Sequence, residues 1–183
     1  EELEAEARER GIKFIPLKIG IGVNTGDACV GNMGSEQRFD YSALGDEVNL
    51  ASRLEGMSKQ YGVDIVISGS TRDHLPDFTV LELDRVKVVG KTVPVTVHTL
   101  LSHGALGEDP EFQAGRESHD LMLRAYRAQE WDRAKELVAE CRARLQDKLG
   151  MKKYYDLMDA RISELRANPP GPGWDGVAEA TSK

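Results

Sequence analysis

The sequence has few basic residues, few aromatics and almost no cysteine. Its 24 lysines and arginines stand against 31 aspartates and glutamates, giving a formal net charge of −7. That balance argues against a nucleic-acid partner, which selects a basic face. The two cysteines, Cys29 and Cys141, lie far apart and in no metal-ligand spacing. A disulfide framework is therefore not expected, and a reduced, cytoplasmic setting is. No apolar run approaches the roughly 20 residues of a membrane-spanning helix, and no signal peptide is visible. No methionine opens the chain. It begins EELEAEARERG, in mid-pattern, so the expectation is a fragment of a longer protein. What is present suffices for a core: 183 residues, 40% hydrophobic and 30% charged, fit one domain plus an appendage.

Glu1 to Arg10 is rich in helix formers and is stopped by Gly11. Leu17, Ile19 and Ile21 alternate with Lys18 and Gly20, the period of a strand. The stretch NTGD has turn chemistry and ACVGNMG reads as a returning strand, so the two predict a hairpin. Gly20, Gly22, Gly31 and Gly34 in or beside these strands mark close approach of a backbone or ligand. Asp46 to Gln60 reads as a helix, with Asp46 as its N-cap and a buried stripe through Val48, Ala51, Leu54, Met57 and Tyr61. VDIVIS predicts a short strand and TRDHL one or two helical turns. FTVLELDRVKVVGKTVPVTVHTLL predicts two or three strands turning at Gly90-Lys91. Residues 12–101 thus read as β-β-α-β-(α)-β-β, an α+β pattern with an antiparallel component.

The composition shifts after Leu101. Residues 102–111 read as a linker rich in glycine and polar residues. Three helical stretches follow, about Phe112–Gln129, Glu130–Leu149 and Met151–Ala167, in an extension spanning 112–168. Small residues at Ala125, Ala128 and Ala134 with large partners Tyr126 and Trp131 resemble one tetratricopeptide helix pair. One such unit cannot bury its own face, so it needs something to dock on, a partner protein among the candidates. His103 and His119 flank the linker and read as solvated rather than metal-binding. Residues 169–183, with Pro, Gly and one Trp, predict an irregular tail.

Asn49 and Arg53 ask for a reason. Four residues apart, they project from one side of the helix, beside the apolar stripe. An amide can orient a sugar or base by donating and accepting. A guanidinium can hold a phosphate bidentately and stabilise developing negative charge. On spacing alone, a solvated face with an ordinary ion pair, for example Arg53 with Glu47 or Glu55, is the favoured account of both residues.

The motifs around this pair carry a resemblance. The sequence runs Gly20-Ile21-Gly22, Thr25-Gly26, Gly31-Asn32-Met33-Gly34, then Gly45-Asp46-Glu47-Val48-Asn49-Leu50-Ala51-Ser52-Arg53-Leu54-Glu55. Residues 1–101 closely resemble the C-terminal part of a class III nucleotidyl cyclase catalytic domain. The implied fold is a partial ferredoxin-like cyclase domain lacking its N-terminal strands, followed by a small all-α extension. The implied activity is cyclisation of ATP or GTP at a site shared by two protomers, a homodimer, with two metal ions, Mg2+ or Mn2+. By motif position, Asn49 matches the residue that orients the ribose, and Arg53 the residue that stabilises charge around the α-phosphate. Ser42 matches a base-reading position where a hydroxyl favours ATP, although a hydroxyl there can equally satisfy local backbone. VKVVGKTVPVTVHTL resembles the family's last hairpin, in which a lysine contacts the triphosphate. Val89 replaces the motif's first lysine, Lys91 matches the second, and Lys87 lies two residues earlier on the same strand face. Both lysines also fit as solvated strand residues.

The resemblance places the metal aspartates and one base-reading lysine in segments preceding Gly11 that this chain does not contain. No metal ligand is expected in this chain, and Asp46 is read as a helix cap. The expectation is the transition-state half of an adenylate cyclase, inactive alone. The helical end is similar to the C-terminal extension of bacterial cyclases with membrane-tethered sensors, which implies the cytosolic end of such a receptor. Two other readings stand beside this one: a non-catalytic cyclase-homology module acting in dimerisation or regulation, and a scaffold whose helical extension is the functional part.

Overall fold

The alternating and helical stretches resolve into a mixed α+β fold. The computed structural model describes residues 2–15, 18–35, 38–88 and 93–179. The order is α1 (Glu2–Glu9), β1 (Ile21–Val23), β2 (Cys29–Ser35), β3 (Arg38–Leu44), α2 (Asp46–Tyr61), β4 (Ile65–Ser68), α3 (Gly69–Arg72), β5 (Phe78–Lys87) and β6 (Val95–His103). A 3-10 turn at Ala105–Glu108 leads into α4 (Pro110–Arg127) and α5 (Trp131–Cys141). A π-helical turn at Arg142–Gln146, α6 (Asp147–Leu149), α7 (Lys152–Ala167) and β7 (Ala178–Glu179) complete it.

Five strands form one sheet in the order β1-β4-β6-β5-β7. β4, β6 and β5 are antiparallel neighbours, while β1 and β7 run parallel to β4 and β5 at the two edges. The expected hairpin between the strands around Ile21 and Val30 does not form. β1 pairs with β4, Ile21 opposite Ile65, and β2 pairs instead with β3 in a separate two-stranded ribbon. The sequence reading does not foresee Arg38–Leu44 as a strand. The reason for β1's placement lies in its glycines. A Cβ added to Gly22 would stand 2.2 Å from the Glu55 amide nitrogen and 2.3 Å from the Ala51 carbonyl oxygen. One added to Gly20 would stand 2.1 Å from Ser58 Oγ. Helix α2 therefore lies directly on the β1 backbone, as glycine in a strand permits.

In α2 the buried residues are Leu50, Leu54, Met57, Ser58 and Tyr61. The stripe is rotated from the expected one, with Leu50 buried and Val48 and Ala51 only half-buried. Asp46 is the first helical residue, and the cap position falls to Gly45 at φ 150°, a conformation an L side chain rarely adopts. Asp46 and Glu47 instead place negative charge in the first turn, where it complements the helix dipole.

The helical extension packs on the sheet of its own chain. One buried cluster runs from Leu50, Leu54 and Tyr61 through Leu83 and Val97 to Phe112, Leu137, Tyr154 and Ile162. The face that one helix pair cannot bury is thus covered by β5 and α2. α4 begins where Asp109 accepts hydrogen bonds from the Glu111 and Phe112 amides, with Pro110 in the first turn. His119 is not solvated. It is fully buried, with Nε2 2.6 Å from the Glu82 carbonyl oxygen and Nδ1 3.1 Å from Tyr155 Oη. Its position follows Phe112 and Gly115 on the helical stripe that continues to Met122 and Tyr126, and that stripe is the buried face of α4. His103, by contrast, is exposed and packs edge-on against Phe78. Asp84, 1% exposed, accepts from Tyr61 Oη at 2.9 Å and pairs with Arg161 at 2.5 Å, joining α2, β5 and α7. Burial pushes the Cys141 thiol up to about 12. The tail contributes β7, and Trp174 packs edge-on against Tyr126 at 5.1 Å between ring centres.

Candidate active site

β3 leads through Gly45 into α2, so the ribbon and the polar face of the helix are built by one continuous segment. The first turn of α2 is held from outside. Asn24 Nδ2 donates to the Glu47 carbonyl oxygen at 3.1 Å and to Glu47 Oε2 at 2.7 Å. Ser70 Oγ lies 3.2 Å from Asn24 Oδ1 and 2.9 Å from the Thr25 carbonyl oxygen, either of which can accept its one proton. Sequence reasoning saw turn chemistry at Asn24 but not this clamp. An asparagine at the end of a strand was its only signal.

Asn49 and Arg53 are both exposed, one helical turn apart. They lie on the flank of the buried stripe, about a quarter turn from Leu50 and Leu54. Ser42 sits on β3, not in a loop. It faces Gly31 of β2, and its hydroxyl donates to the Asp40 carbonyl oxygen at 3.4 Å, a long bond. Gly31 offers no side chain, and the space a Cβ would occupy there is open. Lys87 is exposed on β5, opposite Glu179 of β7. Three inter-strand steps separate β5 from β1, roughly 14 Å across the sheet. The fold therefore brings Asn49 and Arg53 together, leaves Ser42 on the adjoining ribbon and puts Lys87 towards the opposite sheet edge. Lys91, Val89 and Gly90 lie outside the described residues. Among the described residues no three His, Cys, Asp or Glu side chains are grouped to hold a metal ion.

The strand and ribbon that precede α2 carry uncovered apolar side chains. Among the described residues, all exposed large apolar side chains but Phe78, Val93 and Leu121 precede Gly45. They include Ile19 (73% exposed) beside β1 and Tyr41 (76%) on the ribbon.

Residues 3–102 match the family described as the adenylate and guanylate cyclase catalytic domain. The chain belongs to that family. The matched span contains β1 through β5 and all of β6 but its last residue, and with them Ser42, Asn49, Arg53 and Lys87. This cyclase chain is 34% identical over 103 residues to adenylate cyclase 1 of Rhizobium meliloti, covering 55% of this chain and 16% of the relative. It is 37% identical over 86 residues to an adenylate cyclase of Anabaena cylindrica, covering 45% and 17%. It is 36% identical over 95 residues to the terminal-differentiation-specific adenylate cyclase of Dictyostelium discoideum, covering 50% and 4%. The chain thus spans less than a fifth of the length of these curated relatives. Among solved structures it is similar to the adenylyl cyclase CyaB from P. aeruginosa, with 35% identity and a TM-score of 0.46, covering 55% of this chain and 50% of that one. The cyclase family generally uses divalent metal ions. The described residues of this cyclase chain present no donor set that fits one. No helix among the described residues is long and apolar enough to cross a membrane.

Proposed function

We propose that this chain is part of an adenylate cyclase and supplies the Asn49/Arg53 side of a nucleotide site that a second cyclase protomer completes. The observation that carries the reading is the exposed pair on α2, in a chain whose preceding strand and ribbon also carry uncovered apolar side chains. Gly20 and Gly22 face α2, so Ile19, Ile21 and Val23 lie on the other face of β1, a surface suited to a protein neighbour. The reaction is displacement at the α-phosphorus of ATP. The ribose 3′-oxygen forms the new P–O bond and loses its proton, the bond to the β-phosphate oxygen breaks, and pyrophosphate leaves with 3′,5′-cyclic AMP as product. Asn49 orients the ribose through its amide. Arg53 meets the negative charge that builds on the α-phosphate oxygens, where a fixed cation lowers the barrier. Ser42 reads the adenine edge as both donor and acceptor, and Lys87 and Lys91 are assigned to the triphosphate side. The reaction draws on cytoplasmic ATP, the expected setting for this chain. The several adenylate cyclases among the relatives support ATP over GTP.

The test uses the full-length parent protein. Arg53→Ala should lower turnover by roughly 10²–10³-fold, as loss of a transition-state charge contact does, with the dimer fraction unchanged by sedimentation. In the same assay Ser42→Cys should raise the GTP-to-ATP turnover ratio. Unchanged turnover in Arg53→Ala would remove the arginine from the chemistry and favour the non-catalytic, regulatory reading of the module.

A further inference from the structure

The helical extension and the sheet enclose a second polar region, away from the exposed face of α2. A cleft of about 580 Å³ lies between α4 and the β5–β6–α3 surface. That volume falls within the ordinary range for small-molecule sites. Its walls carry four guanidiniums, Arg72 from α3 and Arg116, Arg124 and Arg127 from α4, in a chain whose net charge is −7.

The carboxylates in the cleft do not use up these cations. Glu82 pairs with Arg127, and Asp73 pairs with its neighbour Arg72 at 3.3 Å. Asp120 lies between Arg116 and Arg124 on the same side of α4, yet among the described residues neither arginine forms an ion pair with it or any other acid. Two further polar atoms are left unsatisfied. Arg127 Nε and His98 Nδ1 are buried without a hydrogen-bond partner among the described residues. A buried donor or acceptor without a partner costs free energy that a bound group can recover. Burial pushes the His98 imidazole below its ordinary range, so it is neutral near pH 7 and can donate through one ring nitrogen. Thr96 adds a hydroxyl from β6.

We propose that this cleft binds a small molecule bearing more than one phosphate or carboxylate group, with one oxyanion at Arg116, another at Arg124 and the body of the ligand lying towards His98 and Arg127. Guanidiniums match both oxyanions bidentately. The two free-standing arginines are two turns apart, about 12 Å along the helix axis, so the site favours a ligand with more than one oxyanion group over a single small ion. The proposal is independent of the role assigned to α2.

The test is calorimetric titration of the full chain at low ionic strength with inorganic phosphate and with citrate. Citrate, with three carboxylates, should bind saturably and more tightly than phosphate. The double variant Arg116→Gln/Arg124→Gln should weaken that binding at least tenfold. Asp120→Asn should tighten it several-fold, which keeps the test decisive if the double variant fails to fold. Arg144→Gln, on an exposed arginine outside the cleft, and Arg53→Ala should leave the affinity unchanged. Absence of saturable binding to either probe, phosphate binding as tightly as citrate, or equal weakening by Arg144→Gln and the double variant, would overturn the proposal.

Discussion

The residues before Gly45 and those after it are built on different principles. Among the described residues the buried apolar core begins at Leu50 and extends to Ile162, with no member earlier in the chain. The earlier segment instead holds most of the exposed large apolar side chains. One part is packed against itself, and the other displays what a neighbouring protein surface would cover. Helix α2 belongs to both: its inner stripe enters the core and its flank carries Asn49 and Arg53. Perturbing the later region should cost stability. Perturbing the displayed face should cost activity alone.

The largest expected effect on stability comes from the buried pair that ties the extension to the sheet. Asp84 is 1% exposed and meets Arg161 from α7 and Tyr61 from α2. Arg161→Met keeps the apolar stem and removes the charge, leaving a buried carboxylate uncompensated. Such breaks cost about 3–5 kcal/mol. The urea midpoint should fall accordingly, and Arg161→Met/Asp84→Asn should recover part of the loss. A loss below about 1 kcal/mol would mean that the extension and sheet are not joined through this pair.

The seam where α2 lies on β1 gives the next effect. Gly22→Ala would place a Cβ 2.2 Å from the Glu55 amide nitrogen and 2.3 Å from the Ala51 carbonyl oxygen, both backbone atoms that cannot swing aside. Displacing the helix should cost about 1–3 kcal/mol, as overpacking does. Because the shifted helix carries Asn49 and Arg53, turnover of the full-length protein should fall along with the denaturation midpoint. An unaltered midpoint would show that α2 does not rest on the strand so closely.

How far this division was legible follows from individual residues. The spacing of Leu54, Met57 and Tyr61 fixed the helix, and the motif around Asn49 and Arg53 pointed to the exposed pair. Gly20 and Gly22 correctly signalled close approach, now to α2. Pairing was not legible. The alternation at Ile19 and Ile21 says strand but not which strand answers it, and the partner, β4, lies some forty residues later. Arg38–Leu44 was overlooked because its two exposed faces impose no apolar alternation: Tyr41 and Leu44 are both uncovered. Nothing in the spacing of the α4 arginines shows that a sheet stands opposite. His119 could have been found from its place on the Phe112–Met122–Tyr126 stripe.

That histidine supplies the smallest effect and the one with the sharpest sign. The Glu82 carbonyl oxygen can only accept, so Nε2 of His119 must carry a proton and donate to it. In the neutral ring Nδ1 then accepts from the Tyr155 hydroxyl at 3.1 Å. A second proton would sit on Nδ1, in a site walled by the rings of Tyr154 and Tyr155. Burial, the largest cause, pushes the His119 pKa down. The Glu82 carbonyl bond and the charges of Asp120 and Glu82 act the other way, and Arg127 adds to the lowering. The unfolded chain therefore binds a proton near pH 6.5 that the folded chain refuses. Stability is present above that pH and is lost as pH falls from about 6.5 towards the folded value, at no more than roughly 1.4 kcal/mol per pH unit for each such imidazole. His98 is lowered by burial too and contributes in the same window. The carboxylates of Asp109 and Asp156, held below their usual range chiefly by hydrogen bonds from Lys148 and Lys152, act only at more acid pH. Urea midpoints measured between pH 7 and 5.5 should thus decline in the native chain. His119→Gln, whose amide can donate to Glu82 and accept from Tyr155, should remove about half of the slope, leaving the His98 share. A midpoint that stays level over that range in the native chain would mean the α4 imidazole is not sealed against the sheet.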